Sequence, residues 1–102
     1  MKKVIHTNNA PAAIGPYSQA IEANGMLFIS GQIPVNPADG TVPEGITAQT
    51  EQVMKNIAAI LDEAGYTFDN VVKTTCLLSD IANFGAMNEV YAQFFTANPP
   101  AR

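Results

Sequence analysis

Arg102 follows Pro99-Pro100-Ala101, and two consecutive prolines stiffen the approach enough to hold a guanidinium in one direction rather than on a loose tail. A guanidinium is a planar fork of donors suited to a carboxylate, so the residue reads as an anion holder or as a free terminal side chain. Asn88 lies four residues after Phe84 and three before Tyr91, inside a stripe that otherwise faces a core. A buried amide must find partners, either in a helix–loop hydrogen bond that fixes packing or in a polar ligand. Tyr17 follows Gly15-Pro16 and Ser30 precedes Gly31, placing two hydroxyls at the ends of neighbouring predicted strands, beside glycines that permit close backbone approach. Turn chemistry accounts for that pair equally well. His6 is the only histidine and sits on a short polar amino-terminal segment, which disfavours a Ser-His-Asp nucleophile arrangement. Cys76 has apolar neighbours and no flanking base, so it reads as a small buried hydrophobe.

Short elements must position these groups. Asn24-Gly25 between two apolar-rich runs is a strong hairpin signal and predicts strands near 17–23 and 26–31. Residues 32–43 carry three prolines and an Asp39-Gly40 pair, which predicts an ordered loop. From Thr47 to Ala64, Val53, Ile57, Ile60, Leu61 and Ala64 recur three or four apart, and Gly65 stands where a helix ends. Residues 71–79 are rich in β-branched side chains with apolar residues in both alternating sets, predicting a strand that wants cover on both faces. A second helix is predicted over 83–96, with Phe84, Met87, Tyr91, Phe94 and Phe95 on one stripe. Strand, hairpin, helix, strand, helix describes an α+β layer in which the last helix returns the chain toward a sheet edge.

The chain has 102 residues, 47% of them hydrophobic and only 14% charged, with a formal net charge of −4. That size encloses one core and predicts a single domain, and the low charge hints at buried subunit interfaces. Five Lys and Arg residues scattered along the sequence cannot build the basic stripe that neutralises a phosphate backbone, which disfavours nucleic acid as the main partner. One cysteine excludes an internal disulfide, and no Cys/His spacing resembles a metal site, so a metal-free cytoplasmic protein is expected. His6, Thr7, Asn8 and Asn9 stand where a signal peptide needs its apolar region, and no apolar run approaches the ~18 residues of a membrane span.

Four segments, Asn9-Ala-Pro-Ala-Ala-Ile-Gly-Pro-Tyr-Ser18, Ile29-Ser-Gly-Gln-Ile-Pro-Val-Asn-Pro37, Val72-Lys-Thr-Thr75 and Pro99-Pro-Ala-Arg102, resemble the Rid family of reactive-intermediate deaminases across nearly the whole chain. The resemblance is to the subgroup that hydrolyses 2-iminobutanoate and 2-iminopropanoate to 2-keto acids and ammonia. It implies a chorismate-mutase-like α+β fold, a mixed sheet with two helices on one face, and no cofactor. It also implies a homotrimer with sheets facing a central axis and a ligand cleft at each subunit interface. Carried across residue by residue, it implies that Arg102 pairs with the substrate carboxylate, that Ser30, Gly31 and Asn88 line the cleft and that Tyr17 closes it. The family role it implies is removal of imines released by pyridoxal-phosphate enzymes before they damage other targets. Relatives continue past the arginine into further strands bearing a cysteine and a glutamate thought to position or activate water. The expectation is a domain over residues 1–102 that is carboxy-terminally incomplete, lacking a sheet edge, part of the trimer interface and that carboxylate.

An imine carbon is already electrophilic, so a held carboxylate, an oriented water and one group to manage protons suffice for hydrolysis. A non-catalytic module that binds 2-keto acids or small carboxylates is the competing expectation. A ribonuclease or translation inhibitor is a third, against which the acidic balance argues.

Overall fold

The computed structural model describes residues 1–102 and begins with an antiparallel sheet of three strands, β1 (Lys3–Ile5), β2 (Ala20–Ala23) and β3 (Met26–Ile29), ordered β1-β2-β3. Asn24 and Gly25 join β2 to β3 with φ of 56° and 77°. Positive φ at both central residues is what a tight turn matching the strands' right-handed twist requires, and glycine adopts it without a Cβ penalty. The ordered strands are shorter than the apolar runs that predict them, because before β2 Tyr17 stays half exposed while the Gln19 side chain is drawn into the amino-terminal loop. There the buried Gln19 amide accepts from the Thr7 N–H at 2.7 Å and donates to the carbonyls of Thr7 and Pro11 at 3.0 and 2.9 Å.

Two helices follow, α1 (Ile46–Ala64) and α2 (Phe84–Phe94), with short 3₁₀ turns at Phe68–Asn70 and Ile81–Asn83. Gly65 ends α1 in the left-handed conformation at φ 83°, donating to the Asp62 carbonyl while Tyr66 N–H reaches the Leu61 carbonyl at 2.8 Å. The Tyr66 hydroxyl then donates to Glu22 at 2.9 Å, which pins the end of α1 to β2 and raises the phenol's pKa. The loop before α1 is clamped by Asn56, a fully buried amide that donates to the carbonyls of Ile33 and Val35 at 3.1 and 3.0 Å.

Two apolar clusters share α1. Ile60, fully buried, packs with Ile5, Ala10 and Ala20 against the inner face of the sheet. Met54, a turn and a half earlier, packs with Met87, Tyr91 and Phe95 of the α2 region, flanked by Phe68, Val71, Cys76 and Leu78. The outer face of the sheet carries a cross-strand row of Val4, Ile21 and Phe28, of which Val4 and Phe28 are more than half exposed.

The predicted strand over 71–79 is corrected by the structure. The segment is extended but meets other backbone only at one parallel bridge, Lys73 to Ala101, through Thr74 N–H to the Ala101 carbonyl (2.9 Å) and Ala101 N–H to the Val72 carbonyl (3.1 Å). A strand needs a ladder, and high β-propensity supplies none. This bridge is also the fold's only parallel pairing. Cover is one-sided as well. Thr74, Cys76 and Leu78 turn inward, while Val72 and Leu77 stand 69% and 90% exposed, because within one chain the helices shield a single side. No helix is long and apolar enough to cross a membrane.

Candidate anion-binding site

Phe84, Asn88, Tyr91 and Phe95 fall at helical spacing along α2 and its carboxy-terminal end, so their side chains share one stripe. Past α2 the chain reverses at Asn98, whose φ is 50°, and runs back through Pro99 and Pro100 to the bridge with residues 72–74. Asparagine is among the few residues with a side chain that tolerate this conformation. The reversal lays Arg102 across the stripe. Its Nη1 donates to Asn88 Oδ1 at 2.8 Å, and its Cζ lies 4.8 Å from the Tyr91 ring centre and 5.4 Å from that of Phe84. Both rings are within cation–π range. The free-terminal reading of Arg102 is thereby set aside, and Asn88, half-buried rather than enclosed because this end of the stripe with Phe84 faces outward, makes its hydrogen bond to the arginine.

Tyr91 is itself held. Its hydroxyl shares a 2.7 Å hydrogen bond with Thr74 Oγ1, and its ring packs on Phe95 with centroids 4.6 Å apart. Beside the guanidinium a groove of about 300 Å³ is lined by Asn88, Tyr91, Ala92, Phe95, Pro99 and Pro100. No carboxylate lines it, so the charge of Arg102 is uncompensated there. An uncompensated, oriented guanidinium beside ring and proline surface suits a small carboxylate bearing an aliphatic substituent.

Tyr17, Ser30 and Gly31 do not join this group within one chain, since none lines the groove or bonds to Arg102 or Asn88. Tyr17 is half exposed and its ring lies against Gly15. Ser30 extends the β2–β3 pairing, its N–H on the Gln19 carbonyl at 3.0 Å and its hydroxyl on the Ser18 carbonyl at 2.6 Å. Gly31 is exposed, with open space where a Cβ would stand. His6 is exposed and bonds only to Asn8, while Cys76 is half-buried beside the second cluster. Sequence reasoning places Phe84 and Tyr91 among core residues and gives Thr74 no role beyond its place in the Val72–Thr75 segment. The available signal is the amide at position 88 sharing a stripe with two aromatic rings.

The family model described as Endoribonuclease L-PSP matches residues 7–102. The 2-iminobutanoate/2-iminopropanoate deaminase of Mus musculus is 48% identical over 103 residues, an alignment covering 100% of this chain and 76% of that protein. A crystal structure of a Rid-family protein of unknown function, YyfA from Yersinia pestis, superposes with a TM-score of 0.96 at 53% identity, covering 100% of this chain and 82% of that one. The structure of Escherichia coli TdcF with bound serine superposes at 0.94 with 41% identity, covering 98% and 81%. With a whole-chain match of that closeness in sequence and in fold, this chain belongs to the Rid family.

Proposed function

We propose that the protein hydrolyses reactive 2-imino acids, with 2-iminobutanoate and 2-iminopropanoate as substrates, to 2-keto acids and ammonia in the cytoplasm. The observation that carries this reading is Arg102, a guanidinium oriented by Asn88 and two rings and left without a carboxylate partner. Arg102 holds the substrate carboxylate, Asn88 orients Arg102, and Ser30 and Gly31 complete the cleft while Tyr17 closes it. Holding the carboxylate fixes the imine carbon against an incoming water, and orientation together with exclusion of bulk water supplies most of the acceleration. No metal or cofactor is invoked.

The cleft is shared between protomers of a homotrimer. Two features support that assembly: the outer sheet row Val4–Ile21–Phe28 exposes apolar surface that a second sheet would cover, and Tyr17, Ser30 and Gly31 lie apart from Arg102 within one chain. A neighbouring protomer supplies the missing half.

A second reading, a carboxylate-binding module without turnover, draws on the groove's lining, which includes no Asp, Glu or His to serve as general acid or base. The family model's name suggests ribonuclease activity, but five basic residues in a chain of net charge −4 give an RNA backbone little to bind. The deciding experiment generates 2-iminobutanoate with an amino-acid oxidase, lets semicarbazide compete for it, and compares the protein with its Arg102→Ala variant. Accelerated hydrolysis that falls about a hundredfold in the variant supports the deaminase. Saturable 2-oxobutanoate binding with no acceleration supports the binding module instead.

A further inference from the structure

Arg102 is exposed, yet its guanidinium is held against the Phe84 and Tyr91 rings, and what holds the nearer ring in place lies outside the cleft. Tyr91 is 8% exposed and lies closer to the Arg102 Cζ than Phe84 does. Its hydroxyl is tied to Thr74, and Thr74 also receives the arginine's own backbone, since its N–H donates to the Ala101 carbonyl at 2.9 Å. One threonine therefore fixes both the ring beneath the guanidinium and the peptide that carries it. A long side chain that must otherwise be frozen on binding is frozen beforehand, which is how preorganisation raises affinity without adding a contact to the ligand.

We propose that Tyr91 and Thr74 are positioning residues for the carboxylate-binding arginine. The ring sets the plane of the guanidinium, Thr74 sets the ring and the approach of the chain, and Arg102 lines the groove with N–H donors that Asn88 does not take. This rests on the imino-acid reading above, and the two fail separately.

The test measures 2-oxobutanoate binding by titration calorimetry in wild type, Tyr91→Leu, Tyr91→Phe, Thr74→Val, Arg102→Ala and the Tyr91→Leu/Arg102→Ala double variant. Tyr91→Leu is expected to weaken binding about fivefold, while Tyr91→Phe and Thr74→Val, which keep the ring and the backbone N–H respectively, weaken it about twofold. In the Arg102→Ala background, Tyr91→Leu is expected to add no further loss. Full additivity in the double variant would mean a merely structural tyrosine and would overturn the proposal. A readout free of ligand accompanies it: the Arg102 Nε–H proton is shifted upfield by the ring in wild type and Tyr91→Phe and returns to an ordinary position in Tyr91→Leu. An unshifted proton in wild type overturns the stack outright. Wild-type affinity in Arg102→Ala overturns the imino-acid reading and this inference with it, whereas loss in Arg102→Ala but none in Tyr91→Leu overturns this inference alone.

Discussion

Replacing Asn88 by aspartate asks whether position 88 orients the guanidinium without consuming its charge. The side chain is nearly isosteric and its oxygen would remain 2.8 Å from Arg102 Nη1, so the geometry of the contact is kept while a negative charge is added. A substrate carboxylate on the other side of the guanidinium then lies roughly 6–7 Å from the new one, given charge-assisted contacts of about 2.8 Å. At an effective dielectric constant between about 40 and 80, appropriate to an exposed site, the repulsion is about 0.6–1.3 kcal/mol, a three- to tenfold rise in KM. The chain itself changes stability by less than about 1 kcal/mol, because exposed ion pairs contribute little. The assay is the KM for 2-iminobutanoate at about 0.01 and 0.15 M ionic strength, where the screening length falls from about 30 to 8 Å. In wild type the anion meets a bare cation and KM climbs with salt. In Asn88→Asp it meets a neutralised pair and KM is flat. Asn88→Leu serves as control, since it loses the orienting bond but keeps the salt dependence. Equal KM values and equal salt slopes for the aspartate and leucine variants would refute the reasoning.

Ile60→Ala, at a fully buried position between sheet and α1, is expected to cost about 3 kcal/mol in urea unfolding, with the slope of the transition unchanged. Asn56→Ala strands the carbonyls of Ile33 and Val35, costs about 2 kcal/mol and speeds amide exchange at Ile33, Val35 and Asn36 before it does so in β2. The Tyr66–Glu22 bond holds the phenol's proton, so its pKa is raised in the folded protein. Its contribution is therefore full below the ordinary phenol range and lost as pH climbs through the raised value. The stability gap between wild type and Tyr66→Phe is expected to be constant at neutral pH and to close in strong alkali.

How much of this was legible in the sequence depends on how local the cause is. Asn24-Gly25 announces its turn because the two residues carry the required φ values themselves. Gly65 likewise marks the end of α1, and the apolar spacing before it places Ile60 and Leu61 in the core. The 71–79 segment misleads because propensity reports on a side chain, whereas a strand is a property of two backbones. Asn88 could be singled out as an amide in an apolar stripe, and Arg102 as a stiffened guanidinium. Spacing alone does not bring them together, since their contact depends on the reversal at Asn98 and on the bridge to residues 72–74; only the family resemblance places both at one cleft. Gln19 and Asn56, each holding a loop in place through a buried amide, leave no periodic trace.

The two apolar clusters are separate and meet only in drawing on α1, Ile60 serving the sheet and Met54 serving α2. Such an arrangement divides the molecule into two cooperative opening units that share a single beam. The sheet unit is laced by ladder hydrogen bonds and the Gln19 latch, while the α2 unit closes mainly through side-chain packing and the short return of residues 99–102. The guanidinium belongs to the second unit, so a carboxylate that bridges Arg102 to groups on the sheet unit of another protomer would act as a clasp between them. Occupancy of the groove would then be recorded as slower amide exchange along the whole of α2, beyond the residues of that helix that line the groove.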